Sequence, residues 1–265
     1  MSSRDGGFIW YELMTPDADR AARFYCAVVG WKVAAHSDPA SGMDYRMIQR
    51  ADGGNAGGVL GLTKEMCEGG ARPCWLGYIH AADVDATVAA IITDGGTVQM
   101  PATDLPVGRI AMVTDPQGAP FYVMAPVPPP GVEVVKSDVF SVDQPQHVRW
   151  NELSTSDPDA AIAFYARHFG WAQDGAMDMG PLGQYRFIQH GGMTIGAVMP
   201  MMEPMPAPIW VHYIGVDDID RAAEAVTAHG GRIVEGPNEI PGGEFALTGT
   251  DCCGALFGLV GPRKG

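Results

Sequence analysis

Two glutamates, Glu12 and Glu152, each stand two residues after a tryptophan, in Trp-Tyr-Glu (10–12) and Trp-Asn-Glu (150–152). Positions i and i+2 of a strand share a face, so a carboxylate and an indole are expected side by side in each place. A carboxylate walled by aromatic surface has a raised pKa, which suits a general acid or base. The same group serves as a buried structural acceptor for a tyrosine hydroxyl or backbone N–H groups, and its recurrence favours that role. Trp75 and Trp210 open two later apolar runs. With Trp10 and Trp150 they are expected to line cavities for an apolar or aromatic ligand, or else to pack in the core. His212 shares the Trp210 face. Paired with Glu152 it would be a His–carboxylate couple for proton transfer; a lone histidine held by hydrogen bonds is the plainer reading. Gly77 stands at the matching place in the first half, so any chemistry is expected with His212 and Glu152. Tyr122 is expected to face the first cavity. Tyr45 and Tyr185, each followed by an arginine (Arg46, Arg186), offer rim contacts.

Other candidates carry less. The remaining histidines show no ligand spacing. The five cysteines (Cys26, Cys67, Cys74, Cys252, Cys253) are odd in number and contain no C-x-x-C pair; reduced thiols in a cytoplasm account for them, and a structural zinc site gets little weight. The tract MPMMEPMPAP (199–208) reads as an adaptable packing loop or lid rather than a copper site. Gly53–Gly54 and Gly57–Gly58 lack the strand–helix setting of a phosphate loop. No dinucleotide motif and no G-x-S-x-G is present.

These residues sit in a unit written twice. WYELMTPDADRAARFYCAVVGW (10–31) returns as WNELSTSDPDAAIAFYARHFGW (150–171), identical at 11 of 22 positions. YRMIQ (45–49) matches YRFIQ (185–189), and the later segments follow at similar offsets. Within each half a strand twice leads into a helix opened by an acid and then into three short strands. Apolar residues recur at helical spacing: Ala21, Phe24, Tyr25, Val28, then Val84, Val88, Ile91 and Ile92. Thr15, Asp17 and Asp83 are expected N-caps, and Gly30 and Gly95–Gly96 are expected helix stops. The order is β-α-β-β-β, four times, giving an α+β protein of two tandem domains, residues 1–127 and 145–265. Residues 128–144 form a linker stiffened by Pro128 to Pro130.

Composition bounds the rest. The chain has 265 residues, 46% of them apolar, and no run long enough for a membrane span. Its start does not resemble a signal peptide. A net charge of −14 repels phosphate backbones and argues against nucleic acid.

The chain resembles the vicinal oxygen chelate superfamily, which includes glyoxalase I, bleomycin resistance proteins and extradiol dioxygenases. The marks are D-x-D-x-A-x-x-F-Y-x-x-x-x-G-W (Asp17 to Trp31 and Asp157 to Trp171), the DVDA and DIDRA helix starts, the Gly-Gly after that helix, and DPQGAPF and DCCGALF. The likeness spans nearly the whole chain and is nearest to its tandem glyoxalase-like members. It implies paired modules whose sheets curl into cups, each usually holding a divalent metal. The ligand positions the family implies are Trp10 and Trp150 on the opening strands, Gly77 and His212 on the third-quarter strands, and Tyr122 and Gly258 on the closing strands. One of the six can ligate, whereas a catalytic site needs about three protein ligands. The expectation is a small-molecule binding protein with a degenerate metal site and no cofactor, working as a monomer or homodimer without nucleic-acid or membrane partners. A lyase or isomerase of the glyoxalase kind, using Glu152 and His212 with or without a weakly held divalent ion, is the alternative. A scaffold with vestigial cups is a third reading.

Overall fold

The computed structural model describes residues 5–37, 42–128, 137–202 and 205–264. The chain runs β1 (Phe8–Thr15), α1 (Ala18–Val29), β2 (Lys32–Val33), β3 (Tyr45–Gln49), β4 (Asn55–Gly61), a short α2 (Lys64–Glu68), β5 (Cys74–His80), α3 (Val84–Thr93), β6 (Thr97–Leu105), β7 (Gly108–Thr114) and β8 (Pro120–Pro126). The second half repeats the order: β9 (Val148–Thr155), α4 (Pro158–Phe169), β10 (Ala172–Asp178), β11 (Gln184–His190), β12 (Met193–Pro200), β13 (Ile209–Gly215), α5 (Ile219–Ala228), β14 (Arg232–Glu239), β15 (Phe245–Thr250) and β16 (Leu256–Gly261). The expected β-α-β-β-β order is therefore present four times, in two eight-stranded mixed sheets ordered β2-β3-β4-β1-β5-β8-β7-β6 and β10-β11-β12-β9-β13-β16-β15-β14. Each module's first strand lies parallel to its last. Among the described residues no helix is long and apolar enough to cross a membrane. Of the expected linker prolines, Pro129 and Pro130 lie outside the described residues, as do Glu203 and Pro204 of the methionine-rich loop.

Local chemistry sets the helix ends. The Asp17 side chain accepts from the Arg20 N–H and the Asp83 side chain from the Ala86 N–H, so both cap their helices as expected. Thr15 does not cap α1; its hydroxyl accepts from the Asp17 N–H at 3.4 Å. Gly30 and Gly170 end α1 and α4 in the left-handed conformation.

The chain packs as two compact units, and each draws on both sequence repeats. One comprises residues 1–9, 77–137 and 150–210. In its core Tyr165 of α4 stacks on Trp171 with ring centroids 5.0 Å apart. The Tyr165 hydroxyl accepts from Trp210 Nε1 at 3.1 Å and donates to Asp115 Oδ2 at 3.1 Å. Asp115 Oδ1 in turn accepts the N–H groups of Gln117, Gly118 and Ala119. Burial holds the Tyr165 phenol well above its ordinary pKa and raises the Asp115 carboxyl against these bonds.

The other unit comprises residues 10–76, 138–149 and 211–265, and repeats the arrangement. Trp75 Nε1 donates to the Tyr25 hydroxyl at 2.7 Å, and that hydroxyl donates to Asp251 Oδ2 at 3.2 Å. Phe24 and Tyr25 meet Phe257 edge-on. Trp31 Nε1 ties the end of α1 to the Gln146 carbonyl at 2.9 Å. Arg50, with 3% of its side chain exposed, binds Asp52, Asp138 and the Asn55 carbonyl. A buried guanidinium needs such a set of acceptors.

Candidate functional site

On β9, Asn151 and Leu153 are buried while Trp150 and Glu152 are partly exposed. Trp150 and Glu152 share one face by strand alternation, and a tyrosine from β11 joins them. Trp150 Nε1 donates to the Tyr185 hydroxyl at 2.7 Å, and that hydroxyl donates to Glu152 Oε2 at 2.7 Å. The two rings lie nearly parallel, and Phe187 stands edge-on to both. The array is a directed chain of hydrogen bonds ending on a carboxylate beside aromatic surface.

The first repeat carries the counterpart. Trp10 Nε1 donates to the Tyr45 hydroxyl at 2.7 Å. To reach β1 from β3, the Tyr45 ring crosses Gly58 of β4, where an added Cβ would come 2.2 Å from its hydroxyl. Glu12, paired with Gly58 in register, is 2% exposed. Its charge acts on the Cys74 thiol, whose pKa is pushed up to about 12 by burial first and by Glu12 second. Cys74, within electrostatic reach of Glu12, alternates with Trp75 along β5, so the two point to opposite faces.

Trp75 and Trp210, expected to line the cavities with Trp10 and Trp150, point the other way and bind the helix tyrosines Tyr25 and Tyr165. His212 follows Trp210 by two residues and shares its face. It is 1% exposed, and its ring meets Tyr11 edge-on at 4.9 Å. Burial lowers its pKa to about 3, so it stays neutral at physiological pH. The structure thus places His212 on the helix-packed face of its sheet and Glu152 on the opposite face with Tyr185, rather than as a couple. The reason the strands mislead is that β5 and β13 are buried along most of their length. Without polar and apolar alternation, the sequence carries no mark of which face is which.

Tyr122, expected to face the first cavity, turns away from the helices and is covered by another ring. Phe121 beside it packs on Tyr165 and Phe169 of α4, while Tyr122 stacks on Tyr78 at 4.2 Å and 14°. In the second repeat the Tyr213 ring lies over Gly258: an added Cβ there would come 2.4 Å from Tyr213 Cδ1. Tyr45 and Tyr185, expected at the rim, are instead central to the two arrays. The repeated Tyr-Arg carries the signal for them, but an arginine beside each marks a surface position as readily as a site. Arg46 indeed pairs with the half-buried Asp44 and the exposed Asp19, and Arg186 with the exposed Asp159.

The donor set can be judged against a chelated metal. An indole N–H donates and cannot ligate, and those of Trp10 and Trp150 are spent on tyrosines. Tyr122 is stacked, and Gly258 offers no side chain. Among the described residues, one group of three side chains able to ligate, Asp251, Cys252 and Cys253, lies elsewhere, in the turn between β15 and β16.

Comparison with known proteins agrees with this architecture. The family profile of the Glyoxalase/Bleomycin resistance protein/Dioxygenase superfamily matches residues 7–123 and again 144–259. The Mycobacterium tuberculosis protein named "Putative glyoxylase CFP32" is 32% identical over 261 residues, which cover 98% of this chain and 96% of that protein. The anthracycline biosynthesis protein DauV of a Streptomyces species is 35% identical over 120 residues, 45% of this chain and 41% of that protein. Among solved structures, the Mn(II)-bound glyoxalase from Novosphingobium aromaticivorans aligns over 98% of this chain and 83% of its own, with a TM-score of 0.62 at 16% identity. A homoprotocatechuate 2,3-dioxygenase variant from B. fuscum aligns over 100% and 74%, with a TM-score of 0.64 at 15% identity. At such identities the two structures speak for the fold alone. Two matches of one profile in a single chain, on four copies of one module, make the chain a member of the glyoxalase/bleomycin resistance protein/dioxygenase superfamily.

Proposed function

We propose that the chain binds a small aromatic molecule bearing a hydroxyl group, through its Trp–Tyr–Glu arrays and without a chelated metal. The observation that carries this reading is the bond sequence Trp150 to Tyr185 to Glu152. It fixes a carboxylate at the edge of stacked rings, where it can accept a further hydroxyl while the rings hold an aromatic plane. The metal-free part rests on the donor set: five of the six positions the family implies for ligands carry tryptophan, stacked tyrosine or glycine, and the sixth, His212, is buried against Tyr11, so fewer than the three ligands of a catalytic divalent ion are offered. The Streptomyces relatives named for anthracycline biosynthesis favour a polycyclic, hydroxylated ligand class. The free cysteines suit a reducing compartment such as the cytoplasm.

A second reading has one observation in its favour: the CFP32 relative, alike over nearly its whole length, carries a glyoxylase name. Proton transfer would then fall to Glu152 with Tyr185, since a histidine with a pKa near 3 is a poor base at neutral pH. The experiment is a thermal-shift and tryptophan-fluorescence titration with hydroxylated polycyclic aromatics, before and after dialysis against a chelator, followed by a search for product. Saturable stabilisation that survives chelation, with ligand recovered unchanged, supports binding. Stabilisation that needs a divalent ion overturns the metal-free part, and turnover replaces binding by catalysis.

A further inference from the structure

The turn between β15 and β16 holds two thiols that no part of the Trp–Tyr–Glu reading uses. Cys252 and Cys253 are neighbours in Asp-Cys-Cys-Gly, where the first repeat has Asp-Pro-Gln-Gly (115–118). Both turns are folded by the same carboxylate device. Asp251 Oδ1 accepts the Cys253 and Ala255 N–H groups, as Asp115 Oδ1 accepts those of Gln117 and Ala119. The turn thus needs its aspartate and not its thiols, since proline and glutamine serve equally in the other copy.

The two sulfurs lie 3.8 Å apart. That is far from a disulfide, whose sulfurs are about 2.05 Å apart. It matches a different geometry. Two thiolates on one tetrahedral zinc ion, each about 2.3 Å from the metal, stand about 3.8 Å from one another. A third donor is at hand, because one carboxylate oxygen of Asp251 lies within 4.8 Å of both sulfurs. Asp251 Oδ2 accepts one bond, from the Tyr25 hydroxyl, and a carboxylate oxygen carries two lone pairs. Access is through Cys253, which is partly exposed, while Cys252 is 8% exposed.

We propose that Cys252, Cys253 and Asp251 form a binding site for a thiophilic divalent cation of the zinc and cadmium kind, separate from the Trp–Tyr–Glu arrays. Binding replaces two S–H bonds by two metal–sulfur bonds and releases two protons to solvent, leaving the metal's charge balanced by two thiolates. No electron is transferred. Because binding releases protons, the site fills more readily as pH rises. Because Asp251 also receives Tyr25, the cation would fasten the turn to α1 through a carboxylate already bonded there.

The test uses the full chain with Cys26 replaced by serine, to remove the exposed thiol of α1. Cadmium chloride is titrated in weakly buffered solution, following the ultraviolet thiolate-to-metal charge-transfer band and proton release with an indicator dye. The expected result is one cadmium per chain, two protons released, and loss of the band in both Cys252→Ser and Cys253→Ser. Zinc should displace part of the cadmium. Cys67→Ser and Cys74→Ser should leave the band intact. Cys253→Ser serves where Cys252→Ser fails to fold, since residue 253 is the less buried of the two. A band that persists in Cys253→Ser, or no band at one equivalent in the parent, overturns the proposal. The outcome is independent of aromatic ligand binding, which is read in the absence of cadmium.

Discussion

Tyr25 on α1 donates its hydroxyl to Asp251, 226 positions further along the chain. The same bond joins Tyr165 to Asp115. Two marks that recur in each repeat, the Phe-Tyr of the helix and the aspartate of the closing turn, are therefore the two ends of one interaction. In each case the partners come from different repeats. Each phenol also accepts a tryptophan N–H, so one hydroxyl satisfies an indole donor and a carboxylate acceptor inside the core.

Replacing that hydroxyl should cost stability and leave the fold in place. Tyr25→Phe strands the Trp75 N–H and takes a donor from Asp251. Leaving a buried polar group unsatisfied costs about 1–3 kcal/mol. Urea unfolding of Tyr25→Phe, and separately of Tyr165→Phe, is expected to show a loss in that range with an unchanged denaturant slope. Stability equal to the parent would mean that the bond is replaced by water.

The exchange of partners between repeats bears on truncation. A chain ending at residue 127 lacks Asp251 for Tyr25, the Gln146 carbonyl for Trp31 and Phe257 for Phe24. Expressed alone it is expected to give no cooperative unfolding transition and poor amide dispersion by NMR. A sharp transition for this fragment would show that each sequence repeat is a folding unit by itself.

His212 should make the protein sensitive to acid. Its pKa in the fold is about 3 because burial disfavours the charged form, whereas an unfolded histidine titrates near 6.5. Between those values the unfolded chain binds a proton that the folded chain refuses. The contribution is therefore fully present above pH 6.5 and is lost as pH falls toward 3, by about 1.4 kcal/mol for each pH unit. His212→Gln should remove that slope. Denaturant unfolding at a series of pH values from 7 to 4 measures it, and parallel curves for parent and variant would refute the assignment.

Tyr185→Phe tests the array itself. The change keeps the ring and removes the link between Trp150 and Glu152. A hydroxylated aromatic ligand is expected to bind about tenfold more weakly, corresponding to about 1.4 kcal/mol. An analogue lacking the hydroxyl should lose much less. Equal losses for both would assign Tyr185 to packing alone.

Much of this molecule could be read from the chain, and the limits have physical causes. The fourfold β-α-β-β-β order, the caps at Asp17 and Asp83 and the stop at Gly30 depend on neighbours in sequence, so local pattern sufficed. The common face of Trp150 and Glu152, which meet the same Tyr185 hydroxyl, followed from strand alternation on β9. The facing of Trp75, Trp210 and His212 did not, because a strand buried on both sides has no polar stripe to orient it. The Tyr25–Asp251 bond was out of reach for another reason: no local pattern indicates which of two similar turns a helix meets. Tyr45 and Tyr185 were visible as repeated residues, but their reach to the tryptophan of another strand is a property of the sheet.

The Tyr213 ring resting on Gly258 locks that position to glycine. A carboxylate at position 258 is what the family pattern would ask for, yet Gly258→Glu drives its first carbon to within 2.4 Å of the ring. Shrinking Tyr213 first removes the clash but opens a void over a glycine, and lost packing costs stability. Each single step is uphill, and with Trp150 on the opening strand and His212 on the helix-packed face even both together supply fewer than three ligands. Loss of the metal-holding pattern in this repeat is thus secured by packing as well as by residue type.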